Sequence, residues 1–280
     1  MIEFDELPVL NEPVLIAAFE GWNDAAESAS GVITHLREVW NAELLFELDP
    51  EEYYDYQVNR PQIYLTDSGE RGLIWPATRI YVAKETTSGR DFVLIHGIEP
   101  NMKWPQFTRE ILGLATELDV SLIITLGALL SDNPHSRPVP ISAMASDEQL
   151  LTLLNVERSQ YEGPTGIVGV LAHTSGVFGI PSVSLWASVP HYVGQSPCPK
   201  ATLALVERIE DIVDFPIALR DLPEEAQAWE LGVNELAEDD EEIADYVAQL
   251  EDARDTTELP EASGDAIARE FERYLRRRDS

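Results

Sequence analysis

Residues 163–201 read GPTGIVGVLAHTSGVFGIPSVSLWASVPHYVGQSPCPKA and contain consecutive elements of an α/β fold. Thr165 precedes a run of very small residues and is predicted to cap a helix that ends near Gly179. Each glycine inside a helix costs about 1 kcal/mol relative to alanine, so this helix has to be buried and tightly packed. Residues 183–189 then indicate a core strand, and residues 200–213 have the period of an amphipathic helix.

Towards the N-terminus, short apolar runs alternate with segments of helical period. The runs predict core strands at 14–19, 42–48, 92–95, 121–126 and 139–144, and the helical period predicts helices at 24–40, 105–118 and 147–154. Residues 62–84 favour short antiparallel strands or an irregular insertion. Strand–helix–strand order across 92–126 is typical of a parallel βαβ unit. We therefore predict an α/β fold over residues 1–218, a three-layer domain with a mostly parallel sheet.

Strand signals stop after Pro216, and residues 219–280 are predicted to form an acidic helical appendage. Two amphipathic stripes support this prediction. Their apolar positions are Ile243, Tyr246, Val247 and Leu250 in the first, and Ile267, Phe271, Tyr274 and Leu275 behind a Ser263 cap in the second. The stripes need a partner, which is either the α/β domain of the same chain or a neighbouring subunit.

The charge of the chain excludes some classes of partner. It carries 51 acidic and 19 basic residues, a formal net charge of −32, which disfavours nucleic acid and anionic membranes. The first apolar run is too short for a membrane span and lacks the basic flank of a signal peptide. A single cysteine, Cys198, agrees with a reducing compartment and is interpreted as a buried small residue. We expect a cytoplasmic protein without a membrane or nucleic-acid partner.

Five short motifs, in this order along residues 10–215, carry a resemblance to a known family. They are Glu20-Gly21-Trp22-Asn23-Asp24-Ala25, Gly97-Ile98-Glu99-Pro100 followed by Trp104 and Phe107, Pro134-His135-Ser136-Arg137-Pro138, Gly163-Pro164-Thr165-Gly166, and Pro190-His191-Tyr192. With these motifs the chain resembles the proteasome assembly chaperone family, in its bacterial, actinobacterial-type branch.

The resemblance implies a nucleoside-phosphorylase-like fold and the role of an oligomeric chaperone for proteasome subunits. It also implies, for relatives that dock on the proteasome, a C-terminal tail of a hydrophobic residue, a tyrosine and any residue. This chain ends in Arg276-Arg277-Arg278-Asp279-Ser280 and has Tyr274 at an internal position, so it departs from that pattern.

Unusual polar residues follow the predicted strands, at the ends where open α/β sheets bind ligands. We predict a ligand pocket that binds an anion and moves a proton, if these side chains converge. The candidates are Glu20, Asn23, Asp24, Glu99, Asp132, His135, Arg137 and His191. The helix start at Thr165 and Gly166 is a further candidate for an anion, although it lacks the lysine and the length of a phosphate loop.

Each candidate also has a structural interpretation. Glu20 and Asp24 would orient the first helix, His135 and Arg137 would stiffen a loop between prolines, and His191 would satisfy buried carbonyls. The sequence contains no Gly-x-Ser-x-Gly elbow, dinucleotide fingerprint, His-Glu-x-x-His motif or Cys/His cluster. We accordingly assign no catalytic residue, no metal site and no cofactor.

Two functions from different classes remain. The first is a non-enzymatic protein-interaction or assembly factor, a homo-oligomer such as a trimer that also binds another protein. The second is a small-molecule-binding protein or enzyme of nucleoside-phosphorylase-like type, acting on an anionic or nucleoside substrate. The convergence or separation of the polar residues in the folded chain distinguishes the two.

Overall fold

The computed structural model describes residues 7–66, 68–84, 89–145, 147–154, 156, 161–194 and 197–258. Apolar, β-branched runs form the strands. The strands are β1 (Val14–Glu20), β2 (Glu43–Glu47), β3 (Gln62–Leu65), β4 (Arg71–Ile74), β5 (Thr78–Ala83), β6 (Phe92–Ile98), β7 (Leu122–Ser131), β8 (Ile141–Ala145) and β9 (Ser182–Pro190). The helices are α1 (Ser28–Val39), α2 (Pro50–Tyr53), α3 (Trp104–Glu117), α4 (Glu148–Leu153), α5 (Ile167–Ser175), α6 (Pro199–Val213), α7 (Leu222–Glu238) and α8 (Glu241–Glu258).

Seven strands form one sheet in the order β2-β5-β6-β1-β7-β9-β8. The four central strands, β6, β1, β7 and β9, are parallel, whereas β5 runs antiparallel to β6 and β8 runs antiparallel to β9. The prediction of a mostly parallel sheet is confirmed. The βαβ unit across 92–126 is also confirmed as parallel, with β1 inserted between its two strands.

Helices cover both faces of the sheet because its central strands are apolar on both faces. In β1, Val14, Ile16 and Ala18 pack towards α1 and α6, whereas the alternate residues Leu15, Ala17 and Phe19 pack towards α3 and α5. The three-layer α/β architecture is therefore confirmed. Its parallel strands point their carboxyl ends to one edge, where the predicted site residues lie.

Strands β3 and β4 form a separate two-stranded antiparallel sheet, a hairpin inserted between β2 and β5. The hairpin confirms short antiparallel strands for this part of the chain. Among the described helices and strands, each of these two strands packs mainly against the other. The hairpin therefore lies outside the three layers.

The C-terminal helices α7 and α8 follow the last strand. The apolar stripe predicted α8 correctly. No stripe was recognised for α7, whose 17 residues include five glutamates and begin with two adjacent ones after Pro223. Helix α7 packs along α6, and Leu222 joins the core cluster beneath α1 and α6. The stripe at 267–275 and the tail 276–280 lie outside the described residues, and the boundary after residue 218 stays a prediction. In the described part of the chain, no helix combines the length and the apolar character that a membrane span requires.

Candidate functional site

The eight predicted pocket residues follow four adjacent strands, and their contacts divide them into two groups. Glu20, Asn23, Asp24 and Glu99 follow β1 and β6, whereas Asp132, His135, Arg137 and His191 follow β7 and β9. Within each group, the side chains bond to one another or to neighbouring strands and helices. The described contacts show no bond between the groups, so the convergence into one pocket is not seen.

The first group is built around the carboxylate of Glu99. Glu99 Oε1 accepts hydrogen bonds from Asn23 Nδ2 (2.6 Å) and from the backbone amide of Ile167 (2.8 Å), which is the first residue of α5. A carboxylate is stabilised there by the free amides and the dipole of the helix. The side chain of Glu99 therefore occupies the position that we predicted for a bound anion beside Thr165 and Gly166.

The same contacts correct the prediction that Thr165 caps the small-residue helix. The capping position is Gly166, whose backbone is extended and which has no side chain to accept a bond. A Cβ atom at Gly166 would lie only 2.0 Å from Asn23 Oδ1. Glycine is required here because the buried Asn23 amide approaches the backbone directly.

Asp24 orients the first helix, as one of its two interpretations proposed. Residues 25–27 make a 3₁₀ turn in which Ala26 and Glu27 adopt left-handed φ angles of 53° and 52°. The turn brings Asp24 Oδ1 to the amides of Ala29 (2.7 Å) and Ser30 (3.2 Å) in the first turn of α1. Burial raises the pKa of the Asp24 carboxyl above its ordinary value, and these hydrogen bonds only partly oppose that effect.

The pKa shift of Asp24 predicts a pH-dependent effect of Asp24→Asn. Because folding raises this pKa, the contribution of Asp24 to stability is greatest below the unfolded value of about 3.9 and falls as pH rises through the folded value. Asparagine keeps an acceptor for the two amides and carries no charge. We expect the melting temperature of the variant, relative to wild type, to rise between pH 4.5 and pH 7.5.

Asp147→Asn is the matched control for that prediction. Asp147 caps α4 through the amides of Gln149 and Leu150 but is less buried than Asp24. The effect of this substitution on the melting temperature should be smaller than that of Asp24→Asn, because Asp147 is less buried. A constant offset for Asp24→Asn across the same range would contradict the burial argument.

Glu20 belongs to a cavity rather than to the Glu99 network. Its Oε1 lies 3.2 Å from His96 Nε2 on the neighbouring strand β6. Both side chains and Asp24 line a cavity of about 1100 Å³ whose remaining wall comes mainly from α1, α6 and α7. The other six predicted pocket residues do not line this cavity. His96 was not among the predicted site residues, because it lies inside an apolar strand.

In the second group, His135 is buried and bonded at both ring nitrogens. Nδ1 lies 2.9 Å from the Tyr192 hydroxyl, and Nε2 lies 3.0 Å from Asn234 Oδ1 on α7. The backbone of His135 also accepts a hydrogen bond from Lys200 Nζ (2.6 Å) on α6. The imidazole thus joins the loop after β7 to the turn after β9 and to α7, while the backbone carbonyl joins it to α6. The ring has no free nitrogen to offer a substrate.

Arg137 binds the acidic helix α8. Its Nε and Nη2 atoms donate to the two carboxylate oxygens of Asp255 at 2.9 and 2.8 Å, a bidentate pair, and Nη1 lies 3.4 Å from Glu251 Oε1. The hydrogen bond from Arg137 lowers the pKa of Asp255. The loop stiffened by two prolines is therefore also fastened to the C-terminal helices.

Asp132 and His191 meet the same helix at a more exposed position. Asp132 Oδ1 lies 3.2 Å from His191 Nδ1 and 3.1 Å from the Tyr246 hydroxyl of α8. The His191 ring packs edge-on against Tyr246. Burial raises the pKa of the nearby Tyr192 to about 12, so this phenol stays protonated at neutral pH. The second group is a polar seam between two loops and the helices α7 and α8.

Nucleophilic and metal chemistry has no support in the described geometry. Cys198 is buried, and this burial raises the pKa of its thiol to about 11, which agrees with its interpretation as a structural residue. Among the described residues, no three His, Cys, Asp or Glu side chains are grouped so that they could hold a metal ion. Partners that could not be predicted from the sequence include Lys200, Asn234 and Asp255, since single polar residues in helices give no signal of long-range contact.

Comparison with known proteins agrees with this architecture. The model of the PAC2 family matches residues 18–237. A PAC2 family protein from Streptomyces avermitilis is 52% identical, with a TM-score of 0.79, and the match covers 84% of this chain and 99% of that one. A proteasome-assembly chaperone homologue from Mycobacterium tuberculosis is 48% identical, with a TM-score of 0.76 and the same coverage.

More distant solved structures share the fold alone. An archaeal proteasome activator from Pyrococcus furiosus is 18% identical, with a TM-score of 0.64, and the match covers 82% of this chain and 96% of that one. None of the curated proteins matches this chain.

Proposed function

Because this chain belongs to the PAC2 family, we propose that it is a non-enzymatic assembly factor that works as a homo-oligomer and binds another protein. The proposed partner is a proteasome subunit, since a relative that is 48% identical is a proteasome-assembly chaperone homologue. A trimer in the cytoplasm is the form that we propose. The observation that carries the proposal is the use of the polar strand-end residues in internal bonds.

Those bonds account for four of the eight candidate residues. Glu99 holds the start of α5, Asp24 holds the start of α1, and His135 has both ring nitrogens engaged. Arg137 is paired with α8. A catalytic acid or base has to reach the proton that it transfers, and these groups are instead directed at the chain itself. Their arrangement supports a role in shaping a surface.

A second candidate function rests on the cavity beside α1. Its volume of about 1100 Å³ is ample for a small molecule, and Glu20 and His96 lie 3.2 Å apart in its wall. This arrangement favours a small-molecule binder or an enzyme of nucleoside-phosphorylase-like type. Among the charged residues of the cavity wall, however, six are carboxylates and one is an arginine. This excess of negative charge disfavours an anionic ligand.

The test compares protein and small-molecule binding. Purified chain is mixed with proteasome subunits from the same source, and co-elution and the rate of particle assembly are measured. The same chain is heated with phosphate, nucleosides and nucleotides. We expect co-elution and faster assembly, with melting temperatures unchanged by the small molecules. A nucleoside that raises the melting temperature by several degrees, without any protein binding, would favour the second candidate.

His135→Ala and Arg137→Ala should separate structure from chemistry. His135→Ala leaves buried partners unsatisfied and should lower the free energy of unfolding by about 1–3 kcal/mol. Arg137→Ala removes a partly exposed ion pair and should lower the free energy of unfolding much less than His135→Ala does. We expect both folded variants to keep their protein partner. Denaturant unfolding and co-elution measure the two effects.

Arg137→Lys is the control variant. It keeps the positive charge at this position but cannot form the bidentate pair with Asp255. If the chain is an enzyme, Arg137→Ala should abolish turnover or ligand binding while the melting temperature barely moves. That result would count against an assembly factor.

A further inference from the structure

The β3–β4 hairpin, termed the arm (residues 62–74), exposes an unusual amount of apolar surface. Five of its large apolar side chains are close to half exposed or more, and so is the adjoining Trp75. The exposed fractions are 65% for Ile63, 46% for Tyr64, 70% for Leu65, 49% for Leu73, 47% for Ile74 and 43% for Trp75. Single exposed apolar residues are common on proteins, but a contiguous group marks a contact surface.

Both faces of the arm are apolar. Directly paired residues share a face of an antiparallel sheet, and Ile63 pairs with Leu73 while Gln62 pairs with Ile74. Ile63, Leu65 and Leu73 thus lie on one face, and Tyr64 and Ile74 lie on the other. A sheet that packed on its own domain would bury one of these faces, whereas here both faces are exposed.

The arm gains little support from the rest of its own chain. Among the described helices and strands, the two strands of the arm pack mainly on each other, and an isolated two-stranded hairpin is at best marginally stable in water. The five exposed apolar side chains of the arm, together with the adjoining Trp75, present on the order of 500 Å² of surface. This is more than half of what one side of a standard protein interface buries. A covering partner would remove this surface from water.

Charge indicates which partner fits. The eight strand residues of the arm include Arg71 and no acidic side chain, in a chain with a net charge of −32. The two acidic residues of the arm, Asp67 and Glu70, lie between the strands in the sequence. Two copies of so acidic a chain repel each other over most of their surfaces. Two copies can approach each other at surfaces that carry few charges, such as the strands of the arm. A basic partner would instead be attracted to the acidic surfaces.

The chain also offers a receiving surface. Among the described strands, β2 lies at one edge of the seven-stranded sheet and pairs only with β5, and Leu44 on it is 56% exposed. A free edge with apolar side chains is a template for another strand. Along the chain, the arm lies between β2 and β5, which are paired neighbours at this edge of the sheet.

We propose that the arm is the subunit contact of this protein, and that its two faces are covered by a second copy of the chain at or beside the β2 edge. The inference rests on the proposed homo-oligomer and names its contact surface. It requires no contribution from the polar seam or from the cavity beside α1.

The test is Ile63→Asp with Leu73→Asp, which places two charges on one face of the arm. Light scattering at micromolar concentration should give wild type a multiple of 31.3 kDa. The double variant should shift to the monomer mass, with self-association weakened at least about 100-fold, as expected for buried charge at an apolar interface. Leu153→Asp on α4 is the matched control, since Leu153 is 78% exposed and lies outside the arm. It should keep the wild-type mass.

Hydrogen exchange on the unmodified chain provides a readout that does not depend on the variants folding. The amides of the arm should be protected at high concentration and lose protection on dilution. A monomeric wild type, an unchanged mass for the double variant, or an arm that exchanges equally at all concentrations would each overturn the proposal. If the double variant keeps its mass but loses co-elution with proteasome subunits, the arm is a client surface and the assembly-factor function stands.

Discussion

A chain that ends at Arg220 is expected to lose its fold, whereas a chain that ends at Asp240 is expected to keep it. The chain that ends at Arg220 lacks both α7 and α8, whereas the chain that ends at Asp240 keeps α7 and lacks α8. Leu222, Ala226 and Val233 of α7 are buried, and Trp229 packs against the same core cluster. Burial of a large apolar side chain stabilises a protein by about 1.5–3 kcal/mol.

Polar contacts add to the effect of losing α7. Asn234 bonds to the His135 ring, and Glu230 pairs with Lys200 on α6. The total loss is on the order of 5 kcal/mol, comparable with the whole stability of many domains. Helix α8 contributes mainly partly exposed contacts such as Arg137–Asp255, which are worth little each.

Circular dichroism and thermal unfolding of the two truncated chains check this prediction. We expect a cooperative transition near the wild-type temperature for the chain ending at Asp240, and weak or no cooperative unfolding for the chain ending at Arg220. The family match also extends through most of α7, to residue 237. A stably folded chain ending at Arg220 would show that the α/β domain is complete at the boundary predicted from the sequence.

The sequence predicted the sheet well because burial on both faces leaves a strong local signal. Continuous apolar runs such as 14–19 and 121–126 identify strands covered on both sides, and the helices between them have clear apolar stripes. Helix α7 lacked such a signal. Its buried residues include two alanines, and its acidic residues resembled a solvated segment.

The candidate site was predicted less well than the fold. The predicted strand ends placed the polar residues correctly at the carboxyl edge of the sheet. The sequence could not show which of these residues bond to one another. Glu99 and Ile167 are 68 positions apart, and Arg137 and Asp255 are 118 apart. Such contacts depend on three-dimensional packing, which periodicity does not encode. The anion predicted at the start of α5 illustrates this, since a carboxylate of the chain itself lies there.

Gly166→Ala is expected to destabilise the chain strongly, although its backbone conformation suits alanine. Gly166 has φ −91° and ψ −178°, which any residue adopts, so the effect must come from packing. The added Cβ would lie 2.0 Å from Asn23 Oδ1 and 2.6 Å from Asn23 Cγ. Asn23 is fully buried and cannot swing into solvent. It has to move away from Glu99, and the carboxylate then loses one of its two donors.

We expect this substitution to lower the free energy of unfolding by about 3 kcal/mol or more, from overpacking together with the loss of a hydrogen bond to a charged group. Gly113→Ala is the matched control, because it lies inside α3 with no atom within 4 Å of the added Cβ. That control should be neutral or stabilise by up to about 1 kcal/mol. Denaturant unfolding of both variants measures the difference. Equal effects would mean that Asn23 has room to move, and that the Asn23–Glu99–Ile167 network does not hold the strand ends of β1 and β6 against α5.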